Sequence, residues 1–220
     1  MVRLHADGFS VGSSSMPNTN PRMLSKRGNV VIVSVNYRLN IFGFMNLNEV
    51  TLGRIPASGN EGMLDQIAAL KWVKENIAVF GGDPDNVTVF GESAGGMSIG
   101  VLLGMDQAQG LFHRAILESG TANMSCPLSY AVGLSETFLD IVGIPPTDVN
   151  RLRKLTPEEL FAANQKVSRA MGEFQTGKEG VVHCPTVDGK VITRFPLDAI
   201  KRGSGSNVPI LIGNNYVFSF

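Results

Sequence analysis

The chain has 220 residues, which suffice for one domain with a sizeable hydrophobic core. Its 19 basic residues, Lys and Arg, are matched by 19 acidic residues, so no net charge draws it to nucleic acid or to an anionic membrane. Two cysteines cannot form a disulfide framework, and no segment reaches the roughly 20 apolar residues of a membrane span. We therefore expect one α/β domain with a small, uncharged ligand. Since no export signal stands in the sequence as given, we expect a cytoplasmic location.

The first half of the chain predicts strands and helices in alternation. Residues 30–35 are almost all β-branched and apolar on both faces, which predicts a buried parallel strand. Residues 61–80 carry apolar side chains at helical spacing, which predicts an amphipathic helix that ends at Gly81. The other elements predicted here are strands at residues 87–90 and 115–117 and a helix at residues 94–105. This alternation predicts a parallel sheet covered by helices on both faces.

A serine stands between glycines directly after one of these strands, in the run Gly91-Glu92-Ser93-Ala94-Gly95. A strand that reverses sharply into a helix crowds the turning residue, so only small neighbours permit the strained position. The hydroxyl of Ser93 is then exposed above the sheet, and the N–H of Ala94 at the helix start has no intrahelical partner. The pattern predicts a nucleophile beside an oxyanion donor, although a serine in such a turn is often only a helix cap.

The second half of the chain is less regular. Helices are predicted at residues 128–142 and 157–170, with a connection at 151–156, and we interpret this part as a cap or lid over the site. An Asp-Gly dipeptide between β-forming residues predicts a small hairpin at residues 187–191. Residues 208–212 are mostly apolar and predict a final core strand.

Several longer motifs follow one another in a fixed order. They are Val35-Asn36-Tyr37-Arg38-Leu39-Asn40 with Phe42-Gly43-Phe44, Gly59-Asn60-Glu61-Gly62-Met63-Leu64-Asp65-Gln66, residues 76–96, Phe112-His113-Arg114-Ala115-Ile116 with Glu118-Ser119-Gly120, Pro185-Thr186-Val187-Asp188-Gly189, and Val208-Pro209-Ile210-Leu211-Ile212-Gly213. In this order they resemble the type-B carboxylesterase and cholinesterase family of α/β-hydrolases. The resemblance implies a partial α/β-hydrolase fold with a mostly parallel central sheet flanked by helices. Family members are much longer, so we expect a single truncated domain over residues 1–220, with the cap at about residues 128–185.

The resemblance also implies the parts of a serine esterase. Ser93 is the nucleophile, and the backbone N–H groups of Asp7, Gly8 and Ala94 form the oxyanion hole. The family loop usually reads His-Gly-Gly-Gly or His-Gly-Gly-Ala before Phe, whereas this chain has His5-Ala6-Asp7-Gly8-Phe9. Asp7 therefore brings a carboxylate near the developing negative charge, which weakens catalysis unless the side chain turns away.

The general base is the open question. The family's triad acid falls at Phe218, which is not a carboxylate, and its triad histidine lies beyond Phe220. His183 stands near the segment that lines the acyl pocket in cholinesterases, so it is a speculative base or a hydrogen-bonded wall residue. Glu92 resembles the family's buried glutamate, which supports the triad from behind the serine. Two roles are open for it: a structural carboxylate at this position, or a group that accepts a proton through water. His5 and His113 match structural positions.

The resemblance favours a hydrolase of small activated or short-chain esters that works through an acyl-enzyme with low activity. The alternative is a non-catalytic binding or adhesion module, as in neuroligins, or an inactive fragment. We expect no cofactor and no metal site, because the sequence contains no metal-ligand spacing and no phosphate-binding glycine loop. The partners that we expect are a small ester and further copies of the chain. The apolar tail at residues 216–220 is a candidate contact in the homo-oligomer.

Overall fold

The computed structural model describes residues 1–16, 20–174 and 182–215. The strands are β1 (Val2–Leu4), β2 (Val33–Val35), β3 (Thr88–Glu92), β4 (Arg114–Glu118), β5 (Cys126–Pro127), β6 (Thr186–Val187) and β7 (Ile210–Gly213). The helices are α1 (Arg22–Gly28), α2 (Asn40–Phe44), α3 (Leu47–Val50), α4 (Glu61–Asn76), α5 (Ala94–Leu103), α6 (Leu128–Val142), α7 (Val149–Leu152), α8 (Pro157–Phe174) and α9 (Pro196–Lys201).

Five strands form a parallel sheet in the order β2-β1-β3-β4-β7. The sheet is parallel because each pair of neighbours is joined by a crossover through the helices, which leaves the strands pointing the same way. The buried side chains of β1, β3 and β4 face α4 and α5, and they form the larger of two hydrophobic clusters. The predicted mostly parallel α/β architecture is confirmed.

Helix α4 follows its predicted pattern closely. Met63, Ile67, Leu70 and Val73 are buried at helical spacing, whereas the opposite face is exposed. A short 3₁₀ turn continues from the helix, and Gly81 then ends it with a left-handed φ of 79°. A glycine adopts this conformation without the steric cost that a Cβ would bring.

The second half of the chain forms a separate layer. Helix α6 has the predicted bounds, and α8 begins where predicted and is one turn longer. Their buried residues, among them Leu134, Phe138 and Val167, pack with Ile41 and Met45 near α2 in a second hydrophobic cluster. The role of this layer as a cap remains a prediction.

The two ends of the described sheet differ from expectation. The strand predicted at residues 30–35 is restricted to β2 and is only half-buried at Val33 and Ser34, because it occupies one end of the sheet. At the other end, Ile210, Leu211 and Ile212 of β7 are 47%, 65% and 54% exposed. The prediction of a buried strand is therefore wrong for β2 and for β7. No described strand pairs with the outer edge of β2 or of β7.

The predicted hairpin at residues 187–191 is also wrong. Asp188 Oδ1 accepts hydrogen bonds from the N–H groups of Lys190, Val191 and Ile192, at 3.0, 2.9 and 3.0 Å. The side chain thus satisfies backbone donors that a returning strand would use. The preceding strand, β6, pairs in parallel with β5 instead. Within the described residues, no helix combines the length and the apolarity that crossing a membrane requires.

Candidate active site

Three loops meet at the carboxyl edge of the central sheet. In the register of the parallel strands, Leu4 lies opposite Gly91, and Gly91 lies opposite Leu117. The segments that follow these residues begin at His5, at the serine turn and at Ser119. The carboxyl ends of adjacent parallel strands are the usual position of a ligand site in an open α/β sheet.

Ser93 occupies the strained turn that the sequence predicts. Its φ and ψ angles are 51° and −120°, a conformation that side chains other than glycine rarely adopt. The N–H of Ser93 donates to the carbonyl of Glu118 at 2.8 Å, and its carbonyl accepts from the N–H of Met97 at 2.8 Å. These two bonds offset the local strain and hold the half-buried serine between β3 and α5.

Small residues make this turn possible. A Cβ added at Gly91 would lie 2.7 Å from the carbonyl oxygen of Leu4, and one added at Gly95 would lie 2.3 Å from the same atom. Both distances are shorter than real Cβ contacts, so the first turn of α5 packs against β1 only because these residues are glycines. Ala94, the first residue of α5, is fully buried. Its N–H lies where a helix provides no acceptor and where the helix dipole is positive.

The loop after β1 has an unusual backbone. Asp7, Gly8 and Phe9 are consecutive residues with positive φ angles of 79°, 63° and 60°. Asn40 holds the loop in place through two hydrogen bonds. Its N–H donates to the Phe9 carbonyl at 2.7 Å, and its Nδ2 donates to the Ser10 carbonyl at 3.3 Å. The Asp7 carbonyl accepts from the N–H groups of Ser10 at 3.2 Å and Val11 at 3.4 Å, so these left-handed residues form a tight turn.

His5 holds the start of the same loop. Its ring is buried and stacks on Tyr37, with centroids 4.3 Å apart and planes 13° apart. The Tyr37 hydroxyl donates to the His5 carbonyl at 2.9 Å, and His5 Nδ1 lies 3.1 Å from the Ala6 carbonyl. Burial lowers the pKa of His5, which favours a neutral ring with a proton on Nδ1. These contacts agree with the structural role expected of His5.

Three carboxylates surround the turn. Partial desolvation raises the pKa of Glu92, although its side chain is largely open to solvent, and the negative charges of Asp7 and Glu118 raise it further. The Asp7 carboxylate is exposed, and its Oδ2 lies 3.0 Å from the position of a Cβ on Gly12. Glu92 itself is exposed in the described structure rather than buried, because the loops at this edge leave its side chain open to solvent.

His183 lies in a different environment. The side chain is fully buried, and burial lowers its pKa to about 4. Among the described residues, neither ring nitrogen has a hydrogen-bond partner, so neither is bonded to Ser93. Its neighbour Val182 belongs to the second cluster, where the Val182 carbonyl accepts from the Tyr130 hydroxyl at 2.9 Å. The hydrogen-bonded wall residue considered from sequence is therefore not observed.

Other residues singled out from the sequence have structural contacts. His113 Nδ1 accepts a hydrogen bond from the Val87 N–H at 3.1 Å, which joins the starts of β3 and β4. Ser119 has a φ of 48°, and its N–H donates to the Gly213 carbonyl at 2.7 Å. Within the described ranges, no three His, Cys, Asp or Glu residues are grouped so that they could hold a metal ion. Phe218 and residues 216–220 lie outside the described residues.

Two residues of the site were not recognised from sequence. Tyr37 and Asn40 hold the loop at residues 5–10, yet the sequence marks them only as members of a family motif after a strand, with no role assigned in the site. Asn40 has a φ of 47°, and asparagine is among the residue types that most often tolerate this conformation. An asparagine after an extended run was the available signal.

A parallel sheet with a serine in a strained turn between a strand and a helix defines an α/β-hydrolase. The chain belongs to the carboxylesterase family, whose model matches residues 1–217. It is 43% identical to the para-nitrobenzyl esterase of Bacillus subtilis (strain 168) over 215 residues, which are 97% of this chain and 42% of that protein. It is 32% identical to the acetylcholinesterase of Leptinotarsa decemlineata in an alignment of 223 positions, which covers 98% of this chain and 35% of that protein.

Solved structures give the same result. A carboxylesterase of Geobacillus stearothermophilus superimposes with a TM-score of 0.87 at 45% identity, over 97% of this chain and 44% of the other. A PNB esterase superimposes with a TM-score of 0.89 at 40% identity, over 98% of this chain and 45% of the other. The chain therefore spans about two fifths of the length of the relatives that it matches.

Proposed function

We propose that this chain hydrolyses small activated or short-chain carboxylic esters, with Ser93 as the nucleophile. The observation that carries the proposal is the strained backbone of Ser93, with φ 51° and ψ −120°, at the junction of β3 and α5. Holding a serine in this conformation costs of order 1–3 kcal/mol, and such strain clusters at functional sites. Membership of the carboxylesterase family supports the same reaction.

In the first half-reaction, Ser93 Oγ attacks the ester carbonyl carbon and the carbonyl π electrons move to oxygen. The N–H groups of Gly8 and Ala94, with that of Asp7, donate to this oxyanion. Collapse of the tetrahedral intermediate breaks the bond to the alcohol and leaves an acyl group on Ser93. Water then attacks the acyl carbon, releases the carboxylic acid and restores the hydroxyl.

The proton of Ser93 needs an acceptor. Glu92 directly precedes the nucleophile and accepts this proton through water in its ionised form. Because its pKa is raised, the rate falls as the pH drops through that pKa. His183 is the second candidate, and it serves only if the layer formed by α6 and α8 moves it to the serine. As a cap at residues 128–185, this layer would also cover the bound ester.

Low activity follows from this incomplete proton transfer. An oxyanion hole and binding contacts alone retain roughly 10³- to 10⁴-fold rate enhancement over water. This suffices for activated esters, because a p-nitrophenolate leaving group departs without a proton. We therefore expect turnover of p-nitrophenyl butanoate and little turnover of the matching ethyl ester.

The test compares Ser93→Ala with Ser206→Ala, a control at an exposed serine in the turn before β7. We expect Ser93→Ala to abolish p-nitrophenyl butanoate hydrolysis and Ser206→Ala to leave it unchanged. A phosphonate probe that reacts with activated serines should add its mass to the peptide containing Ser93. Equal hydrolysis by both variants would mean that the ester is cleaved at another place.

A non-catalytic binding module is the second candidate. It is favoured by one observation, that the fully buried His183 has no hydrogen bond to Ser93 among the described residues. The same phosphonate probe separates the two functions, because it labels Ser93 only if the hydroxyl is reactive. Ester binding without labelling or turnover would support the binding module.

We further propose that the chain forms a homo-oligomer through the outer edge of β7. Ile210, Leu211 and Ile212 expose apolar side chains there, and the backbone of β7 has no neighbour on that side among the described residues. Apolar strand edges of this kind readily pair with another chain. We expect Leu211→Lys to reduce the mass measured by light scattering at micromolar concentration. Val79→Lys, at a residue that is 87% exposed elsewhere on the surface, should not reduce it.

A further inference from the structure

An apolar pocket lies away from the serine turn, in the layer formed by the second half of the chain. It lies between α2, α6, α7 and the start of α8 and has a volume of about 200 Å³. Its apolar wall is formed by Ile41, Phe42, Met45, Leu47, Ile55, Phe138, Leu152 and Leu160. Phe138 is 1% exposed and belongs to the second hydrophobic cluster, so the floor of the pocket is part of the packed core.

The size of the pocket limits what it can hold. A water molecule occupies about 30 Å³ in the liquid, so about 200 Å³ accommodates roughly six or seven groups of that size. This matches an alkyl chain of three to five carbons with a polar head at the opening. Apart from Arg153, the side chains of the wall are apolar, which disfavours filling by ordered water.

The rim carries positive charge. Arg153 is the charged residue that lines the pocket, and its Nη2 donates to the carbonyl of Arg54 at 2.9 Å. The guanidinium of Arg54 is held in turn, because it donates to the carbonyls of Thr51 at 3.1 Å and Thr147 at 3.2 Å. Both arginines are exposed, so each retains N–H donors that face solvent.

The nearby carboxylates bind backbone groups rather than the two arginines. Asp148 caps α7 by accepting from the Arg151 N–H at 3.1 Å, and Glu159 accepts from the Thr156 N–H at 2.8 Å. Among the described residues, neither Arg54 nor Arg153 forms an ion pair with a carboxylate. Arg153 at the rim, with Arg54 next to it, therefore has no paired carboxylate among the described residues.

We propose that this pocket binds a short unbranched monocarboxylate of four to six carbons. The alkyl chain occupies the apolar pocket, and the carboxylate accepts hydrogen bonds from the planar guanidinium of Arg153 at the rim. Acids of this class correspond to the acyl half of the esters proposed above. Binding at this pocket requires no turnover, so it goes beyond the proposed reaction and does not depend on it.

The test measures hexanoate binding by isothermal titration calorimetry on the Ser93→Ala variant, which separates binding from hydrolysis. We expect saturable binding with a dissociation constant on the order of 1 mM, as for a ligand of this size. Each buried methylene strengthens binding by about fourfold, so butanoate should bind up to about 15-fold more weakly than hexanoate. Hexan-1-ol has the same chain without the charge and should bind at least about tenfold more weakly.

Two further substitutions locate the site. Arg153→Gln should weaken hexanoate binding about tenfold or more, whereas Arg151→Gln, an exposed arginine outside the pocket wall, should not change it. Leu160→Trp should fill part of the pocket and weaken hexanoate binding while leaving the rim charges in place. Unchanged binding in both Arg153→Gln and Leu160→Trp would overturn the proposal, as would equal binding of hexanoate and hexan-1-ol. Loss of ester hydrolysis in Ser93→Ala with hexanoate binding retained would support both proposals separately.

Discussion

Replacement of Gly95 by alanine tests the close approach of α5 to β1. A Cβ at this position would lie 2.3 Å from the Leu4 carbonyl oxygen, whereas ordinary contacts begin at 3.4 Å. The obstacle is backbone, so the first turn of α5 must move by about 1 Å, and a misplacement of this size costs about 100-fold in rate. Overpacking of this kind also destabilises a fold by about 1–3 kcal/mol. We expect kcat/KM for p-nitrophenyl butanoate to fall about 100-fold in Gly95→Ala.

The matched control is Gly133→Ala in α6, where an added Cβ meets no heavy atom within 4 Å. Because alanine is the better helix former, we expect this variant to gain about 0.5–1 kcal/mol in its free energy of unfolding. Urea unfolding and steady-state hydrolysis are measured on both variants and on the parent chain. Parental activity and stability in Gly95→Ala would refute the reasoning, because the serine turn would then tolerate a displaced helix.

Two other predictions concern charge near the site and in the second layer. Asp7→Asn removes the negative charge beside the oxyanion loop with little change of size, so kcat/KM should rise about tenfold, which corresponds to about 1.4 kcal/mol. An unchanged or lower rate in stopped assays at pH 8 would mean that the carboxylate does not act on the reacting oxygen. For His183, burial holds the pKa at about 4, below the usual 6.5, so the unfolded chain binds more protons between these values. The free energy of unfolding should therefore fall by about 3 kcal/mol as the pH drops from 6.5 to about 4. In His183→Phe, the free energy of unfolding measured with urea should not show this decrease with pH.

The sequence predicts the features that depend on local pattern. The bounds of α6, the apolar face of α4 and the strained turn at Ser93 were predicted because periodicity and small residues act over a few positions. The mostly parallel sheet was predicted from the alternation of strands and helices. The local pattern marks the serine and the start of α5, and remote residues such as Glu118 then hold them in place.

The predictions that proved wrong concern features set by residues remote in the chain, or by side chains that take the place of backbone hydrogen bonds. An apolar run predicts that Leu211 belongs to a strand, but its exposure depends on which residues cover that strand. The predicted hairpin does not form because the Asp188 carboxylate accepts the backbone hydrogen bonds that a second strand would need. The left-handed conformations of Asp7 and Phe9 were missed, because only glycine is expected there from sequence. His183 was considered a hydrogen-bonded wall residue, but its unpartnered ring required coordinates to detect.

Asn40 links helix α2 to the loop at residues 5–10, beside the edge-to-face packing of Phe44 on Phe9. Its backbone and side chain bind the carbonyls of Phe9 and Ser10, and it is also the first residue of α2. The next two residues, Ile41 and Phe42, line the apolar pocket. The same short helix therefore carries part of the pocket wall and an anchor of the loop at residues 5–10. If the proposed reaction takes place, we expect substitutions in the pocket wall to alter turnover through the position of that loop, with no change in any group that touches the ester.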